Sequence, residues 1–154
     1  MQYPEHDRAR AALHRLLAQR TDLLPVASRL VPSPVSRCWF KISEDETHNA
    51  WLIAWAPESA LAAHDHGDSC AAVHVLRGGL IEWYRDRHDV AAWNVRELNA
   101  GTTILVPPAR VHEVHNATRQ RALSVHVYSP PLAVMNSFPA VGEIGGRAPE
   151  VVTA

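Results

Sequence analysis

Histidine is the residue type that stands out in this chain of 154 residues, because ten of them are present. It is the commonest metal ligand in proteins, and it titrates near neutral pH. Two of the ten form the motif His64-Asp65-His66. In an extended chain, residues i and i+2 point to the same face, so both imidazoles can reach one metal ion. A loop that carries two histidines by chance is the alternative, and the motif alone leaves it open.

A second polar pattern lies near the end of the chain, where Ser124, His126 and Tyr128 alternate with Val125 and Val127. One face of this segment is therefore polar and the other is apolar. An unpaired buried polar group costs about 1 to 3 kcal/mol, so three of them on a buried face must bond to each other or to a ligand. The alternative is a solvent-facing edge of a sheet.

The elements that must position these residues are predicted to be short strands. Segments rich in Val, Ile, Leu, Trp and Tyr are separated by turn signals such as Gly78-Gly79 and Pro107-Pro108, which is an all-β pattern. A sandwich or small barrel of this kind can enclose one small ligand or metal. We expect strands at residues 37–42, 50–56, 71–77, 80–85, 90–98, 102–106 and 122–128.

The first 34 residues have a different character. Apolar residues at helical spacing predict one amphipathic helix over residues 6–20. Pro25, Pro32 and Pro34 predict an extended connector after it, because proline fixes φ and restricts the residue before it. We expect a single domain, made of the helix and connector (1–34), a barrel (35–138) and a C-terminal tail (139–154).

Charge and cysteine content exclude several functional classes. Fifteen Lys and Arg against sixteen Asp and Glu give a net charge of -1, with no basic run that would bind nucleic acid. No segment has the roughly 18 consecutive apolar residues of a membrane span, and the first residues lack the layout of a signal peptide. Cys38 and Cys70 are too few for a disulfide framework and are expected to be free thiols. The chain is therefore expected to be cytoplasmic.

The wider spacing of these residues resembles the two motifs of the cupin superfamily. His64, His66 and Gly78 match the first motif, and the second is matched by Gly101, Pro107, His112 and Asn116. The sequence departs from the pattern at Ala71, where the motif has a glutamate, and after Pro107, where a glycine is missing. Three neutral imidazoles leave the charge of a divalent metal uncompensated, so an anionic substrate atom such as a thiolate can bind directly. His115, three residues beyond His112, is the competing third ligand.

Four segments together resemble cysteine dioxygenase, a thiol dioxygenase of the cupin superfamily. They are His64-Asp65-His66-Gly67, Val75-Leu76-Arg77-Gly78-Gly79-Leu80-Ile81-Glu82, His112-Glu113-Val114-His115-Asn116 and Ser124-Val125-His126-Val127-Tyr128-Ser129-Pro130-Pro131-Leu132. The similarity extends from about Arg37 to Phe138. It implies an all-β cupin, a small β-barrel or jelly roll with a short N-terminal helical segment.

The resemblance also implies a site. One mononuclear Fe(II) is held by His64, His66 and His112, and no organic cofactor is needed. Tyr128 lies beside the iron with His126 and Ser124 behind it. Arg37 corresponds to the residue that binds the substrate carboxylate, for which its planar fork is suited, and a surface cation in a strand is the alternative. Met135 is a candidate for the wall of the substrate pocket, and a buried gap-filling methionine is the alternative.

The implied reaction adds both atoms of O2 to the sulfur of L-cysteine and gives cysteine sulfinic acid. Two alternatives stay open, which are a dioxygenase of another small thiol acid such as 3-mercaptopropionate and a non-catalytic metal-binding cupin. The implied partners are the thiol and O2, with no nucleic acid and no membrane, in a monomer or weak homo-oligomer. Some relatives crosslink the tyrosine to a cysteine at the position of Ala71, so we expect Tyr128 to be uncrosslinked. The neighbouring Cys70 would point to the opposite face of a strand.

Overall fold

The computed structural model describes residues 3–29 and 37–141 as two helices followed by two antiparallel five-stranded sheets. The helices are α1 (Pro4–Gln19) and α2 (Leu23–Arg29). The strands are β1 (Arg37–Glu44), β2 (Asn49–Trp55), β3 (Ala60–Asp65), β4 (Cys70–Arg77), β5 (Gly79–Asp86), β6 (Asn94–Asn99), β7 (Thr103–Val106), β8 (Arg110–His115), β9 (Ala122–Ser129) and β10 (Asn136–Ser137). The sheet orders are β1-β2-β9-β4-β7 and β10-β3-β8-β5-β6. The predicted all-β architecture with an N-terminal helical segment is confirmed.

Helix α1 covers the outer face of the first sheet. It begins with Pro4, which suits a first helical position because its missing N–H would have no partner there. Buried side chains at helical spacing, among them Leu13 and Leu16, pack against Leu52 and Val125 of the sheet. The predicted helix over residues 6–20 is confirmed, with bounds that differ slightly.

The prediction of an extended chain from Pro25 onward is wrong for residues 25–29, which belong to α2. Pro25 is the third residue of this helix, and a proline in the first turn removes no helical hydrogen bond. Residues 30–36 of the predicted connector and residues 142–154 of the predicted tail lie outside the described residues. The division of the chain at residues 34 and 138 stays a prediction.

The two sheets enclose an apolar core at one end of the barrel. Trp55 and Val75 from the first sheet pack there with Leu80 and Val114 from the second. Along the central strand β9, inward side chains continue from this core towards Tyr128. Apolar side chains thus fill this end of the barrel, and the polar side chains of β9 lie in the rest of its interior.

Two strands that carry histidines, β3 and β8, were missing from the predicted set, as was the short β10. The sequence predicts a strand that starts at Val90, but the matching strand, β6, starts at Asn94. The preceding residues form a turn instead, and this turn places Trp93 against Ala63 and Val111 on the outer face of the second sheet.

Two motif residues have structural reasons for their identity. Gly78 has φ +75°, and a Cβ there would approach the carbonyl oxygen of Arg121 to 2.8 Å, so only glycine fits. Asn116 is fully buried, and its amide donates to the carbonyl oxygens of Ala56 (3.1 Å) and Gln120 (2.7 Å). Both residues hold turns between strands.

Among the described residues, neither helix has the length and apolar character of a membrane span.

The strand register gives a prediction about Tyr128. On β4, Ala71 lies directly opposite Tyr128, whereas Cys70 lies opposite Ser129, so the thiol points to the other face of the sheet. Burial also raises the pKa of Cys70 to about 11, which keeps it a thiol. We expect the intact mass of metal-loaded protein exposed to substrate to equal that of the sequence. A mass lower by two hydrogen atoms, mapped to a Cys70–Tyr128 peptide, would contradict this.

Candidate metal centre

Three buried histidines meet between the two sheets. His64 on β3 lies directly opposite His112 on the neighbouring β8, and His66 follows the end of β3. The three Nε2 atoms form a nearly equilateral triangle, with 3.2 Å between His64 and His66, 3.1 Å between His64 and His112, and 3.2 Å between His66 and His112. The structure thus brings together the three ligand candidates that the sequence predicts.

The hydrogen bonds of these rings show what the triangle can hold. The Nδ1 of His64 donates to the carbonyl oxygen of Ala62 at 2.7 Å, and the Nδ1 of His112 donates to Glu82 Oε1 at 2.7 Å. Their Nε2 atoms are therefore unprotonated in the neutral rings. The lone pairs on these two Nε2 atoms lie 3.1 Å apart and repel each other, and a proton on His66 Nε2 can form a hydrogen bond with only one of them. A metal ion can bind the lone pairs of all three Nε2 atoms, so this donor set fits a metal ion.

The lowered pKa values of two of the buried histidines agree with metal binding. Burial and the neighbouring His112 lower the pKa of His64 to about 3, and burial also holds the pKa of His66 well below its usual value. Both rings are thus neutral at physiological pH, as ligands must be. Within the described residues, these three form the one cluster of His, Cys, Asp or Glu with metal-ligand spacing.

Glu82 is the contact that the sequence did not single out. It is fully buried on β5, where one oxygen accepts from His112 and the other contacts Nε of Arg96 on β6. Burial raises the pKa of Glu82, but the hydrogen bonds from His112 and Arg96 outweigh it and the pKa is lowered. Glu82 is therefore a buried carboxylate beside a candidate metal ligand. The sequence gives no signal for this contact, because a glutamate in a predicted strand is common.

The predicted polar face of β9 is buried, so its interpretation as a solvent-facing edge is wrong. Trp55 Nε1 donates to Ser124 Oγ at 2.9 Å, and Ser124 Oγ lies 2.9 Å from His126 Nε2. His126 Nδ1 lies 3.3 Å from Tyr128 Oη. The polar groups therefore bond to one another in a chain, as the sequence requires of a buried face.

Trp55 can only donate, so Ser124 Oγ accepts from its indole and keeps one proton and one lone pair for His126 Nε2. In the His126 tautomer that has its proton on Nδ1, Ser124 donates to Nε2, and Nδ1 donates to Tyr128 Oη. The ring is neutral, because burial lowers the pKa of His126 to about 3. In that tautomer the Tyr128 proton is available for the cavity, and burial raises the pKa of Tyr128 so that it stays a phenol. Its ring contacts that of His66 edge to face at 4.9 Å between centroids.

A cavity of about 230 Å³ adjoins Tyr128. Of the residues within 3–29 and 37–141 that line it, Arg37 is the one that is charged, and the others are Trp39, Trp51, Ile53, Leu61, Tyr128, Leu132 and Met135. The guanidinium of Arg37 donates to the carbonyl oxygen of Ala60 at 3.0 Å and lies over Trp39 at 5.3 Å from the ring centroid. Met135 is 45% exposed, so its alternative role as a buried gap filler is wrong. The cavity suits a small anionic ligand.

The other residues near the histidines have supporting contacts. Asp65 is fully buried, accepts from the backbone N–H of Gly67 (3.0 Å) and from Asn136 (2.8 Å), and pairs with Arg87. These bonds hold the turn that presents His66. His115, the competing third ligand, instead pairs with Glu113.

This fold and this site define a metal-binding cupin. The family model for cysteine dioxygenase type I matches residues 33–140, which is well over half of the chain. The chain therefore belongs to the cysteine dioxygenase type I family, and the predicted resemblance is confirmed.

Solved structures of low sequence identity share the fold. An oxalate oxidase in complex with glycolate aligns at 16% identity and a TM-score of 0.60, covering 69% of this chain and 57% of that one. A double-stranded β-helix protein from Klebsiella pneumoniae aligns at 21% identity and a TM-score of 0.58, covering 72% and 91%. A cupin from Desulfitobacterium hafniense aligns at 12% identity and a TM-score of 0.56, covering 68% and 87%. The chain spans 52 to 63% of the oxalate oxidase chains that it matches.

The buried neutral histidines predict how stability depends on pH. His126 has a folded pKa of about 3, and a histidine of the unfolded chain has one of about 6.5. Between these values the unfolded state binds more protons, so stability falls with falling pH by up to about 1.4 kcal/mol per pH unit for this residue. We expect urea unfolding of metal-free protein between about pH 5 and 7 to show stability that falls with falling pH, with His64 and His66 adding to the contribution of His126. His126→Gln should lower the slope, and an unchanged slope would contradict the account.

Proposed function

We propose that this protein is a mononuclear Fe(II) thiol dioxygenase that converts L-cysteine and O2 into cysteine sulfinic acid. The observation that carries the proposal is the position of Tyr128, whose ring contacts His66 of the three-histidine cluster while its side chain lines the cavity that contains Arg37. The candidate metal ligands, the candidate proton donor and the candidate carboxylate-binding residue thus adjoin one another. The membership of the chain in the cysteine dioxygenase type I family supports the same chemistry.

His64, His66 and His112 would hold the iron. Three neutral imidazoles bring no negative charge to a divalent ion, so a thiolate ligand is favoured over a neutral donor. Bound Fe(II) would supply open coordination positions and the electron transfer that lets O2 react with sulfur. Because both oxygen atoms end on sulfur and the thiol itself is oxidised, the overall reaction balances without an external reductant.

Arg37 would bind the substrate carboxylate. Its guanidinium shows one hydrogen bond among the described residues, through Nη1 to Ala60, which leaves donors for a bidentate pair. Burial lowers the pKa of Arg37, and Tyr128 opposes this effect. Since an arginine stays protonated even so, a carboxylate in the cavity would meet a partly desolvated and therefore stronger partner.

Tyr128 would donate a hydrogen bond to the bound substrate or to oxygen. With the His126 proton on Nδ1, the phenol accepts from His126 and keeps its own proton for the cavity, so the group needs no reorganisation when the substrate arrives. Met135 would form the outer wall of the same cavity. Removal of the Tyr128 hydroxyl should therefore lower turnover more than it lowers metal binding.

A second candidate substrate is a thiol acid without an amino group, such as 3-mercaptopropionate. The cavity lining offers Arg37 for a carboxylate, but its described residues include no acidic side chain that would pair with an ammonium group. The two substrates share the thiol and the carboxylate, so the site can be tested with both.

We also propose a cytoplasmic enzyme of cysteine breakdown that acts on small molecules. Cys38 and Cys70 are both free, which suits a reducing compartment. A monomer or weak homo-oligomer and the absence of an organic cofactor stay predictions.

Oxygen consumption by iron-loaded protein is the direct test. We expect consumption with L-cysteine, and loss of both bound iron and activity in His112→Ala. Arg37→Gln should raise KM for L-cysteine by about 10-fold or more, because a charged hydrogen bond to a carboxylate contributes about 1.5 to 3 kcal/mol. The accompanying decrease in kcat should be smaller. The same variant should lose less with a thiol that has no carboxylate.

Two results would contradict the proposal. Iron-loaded protein that consumes no oxygen with any small thiol would identify a non-catalytic metal-binding cupin. Wild-type protein that prefers 3-mercaptopropionate by kcat/KM would keep the reaction and replace the substrate.

A further inference from the structure

The three-histidine cluster has an uneven environment. The outer nitrogen of His64 donates to a neutral carbonyl, and that of His112 donates to the carboxylate of Glu82. The outer nitrogen of His66 is buried and has no hydrogen-bond partner in the part of the chain that the structure describes. Among the described residues, His112 is therefore the one member of the cluster that is bonded to a negative charge.

The position of Glu82 is fixed by the strand register. On β5 it lies opposite Arg96 of β6 and two residues from Tyr84, which lies opposite His112 of β8. Its side chain is fully buried, and each oxygen contacts a different partner. Arg96 itself is held over the ring of Tyr84, 4.7 Å from the centroid, with its side chain 31% exposed. Glu82 thus lies between His112 of the uncharged histidine cluster and the cation of Arg96, and both compete for its negative charge.

We propose that Glu82 is a positioning residue that sets the metal affinity of the centre through His112, and that Arg96 weakens this effect. A carboxylate that accepts the outer N–H of a metal-bound imidazole fixes its orientation and makes its other nitrogen a stronger donor. Arg96 competes for the same negative charge. The inference rests on the three-histidine site of the proposed function, but it does not depend on the reaction.

The test is the affinity of the protein for Co2+, measured by competition with a chelator, in Glu82→Gln and Arg96→Gln. Glutamine keeps the size of Glu82 and an acceptor for His112 but removes the charge, so we expect Co2+ binding to weaken about 10- to 100-fold. Arg96→Gln leaves the charge of Glu82 undivided, so binding should tighten by about threefold or more. The Co2+ absorption spectrum shows whether all three histidines still bind.

Glu113→Gln is the matched control. Glu113 is also buried, lies on the same strand as His112 and pairs with a histidine, His115, that is not part of the cluster. This variant should keep Co2+ affinity within about threefold of wild type. Unfolding of the metal-free variants shows how much each substitution lowers stability alone.

The opposite signs expected for the two variants separate charge from structural support. Unchanged Co2+ affinity in folded Glu82→Gln, or an equal loss in Glu113→Gln, would overturn the proposal. If Glu82→Gln does not fold, Arg96→Gln decides, because tighter binding supports the proposal and equal or weaker binding overturns it. If the iron-loaded wild-type protein does not turn over a thiol but the Co2+ affinities of the variants change as expected, the proposed function is wrong and this inference still holds.

Discussion

The mutual repulsion of imidazole lone pairs is the constraint around which the centre of this protein is built. The Nε2 atoms of His64 and His112 face each other at 3.1 Å because their other nitrogens are committed to Ala62 and Glu82. A folded chain keeps such an arrangement when a cation resolves it. The two strands that carry these residues are adjacent in one sheet, so the backbone ladder itself brings the rings together.

The rest of the barrel distributes chemistry around this cluster. The core around Trp55 closes one end, and the hydrogen-bonded chain that begins at Trp55 extends to Tyr128 beside His66. On the other side of Tyr128 lies the cavity with Arg37. A single strand, β9, therefore connects the apolar core to the site, and its rigid hydrogen bonds keep the phenol oriented before a substrate enters.

The sequence predicted the all-β fold, the histidine cluster and the polar face of β9 because each leaves a periodic or spaced pattern. It did not predict β3 and β8, since the histidines needed at the site replace the apolar residues that mark a strand. Tertiary contacts override local preference there. Glu82 and Arg96 escaped because their pairing crosses strands and has no spacing along the chain. Pro25 misled because its position within a helix turn, not its presence, decides its effect.

The fate of oxygen tests the central claim most directly. Iron-loaded protein should be incubated with L-cysteine under 18O2, and the mass of the product should be measured. The account predicts a sulfinic acid in which both oxygen atoms added to sulfur carry the label. A product with one labelled atom or none, or with cysteine oxidised only to its disulfide, would contradict it.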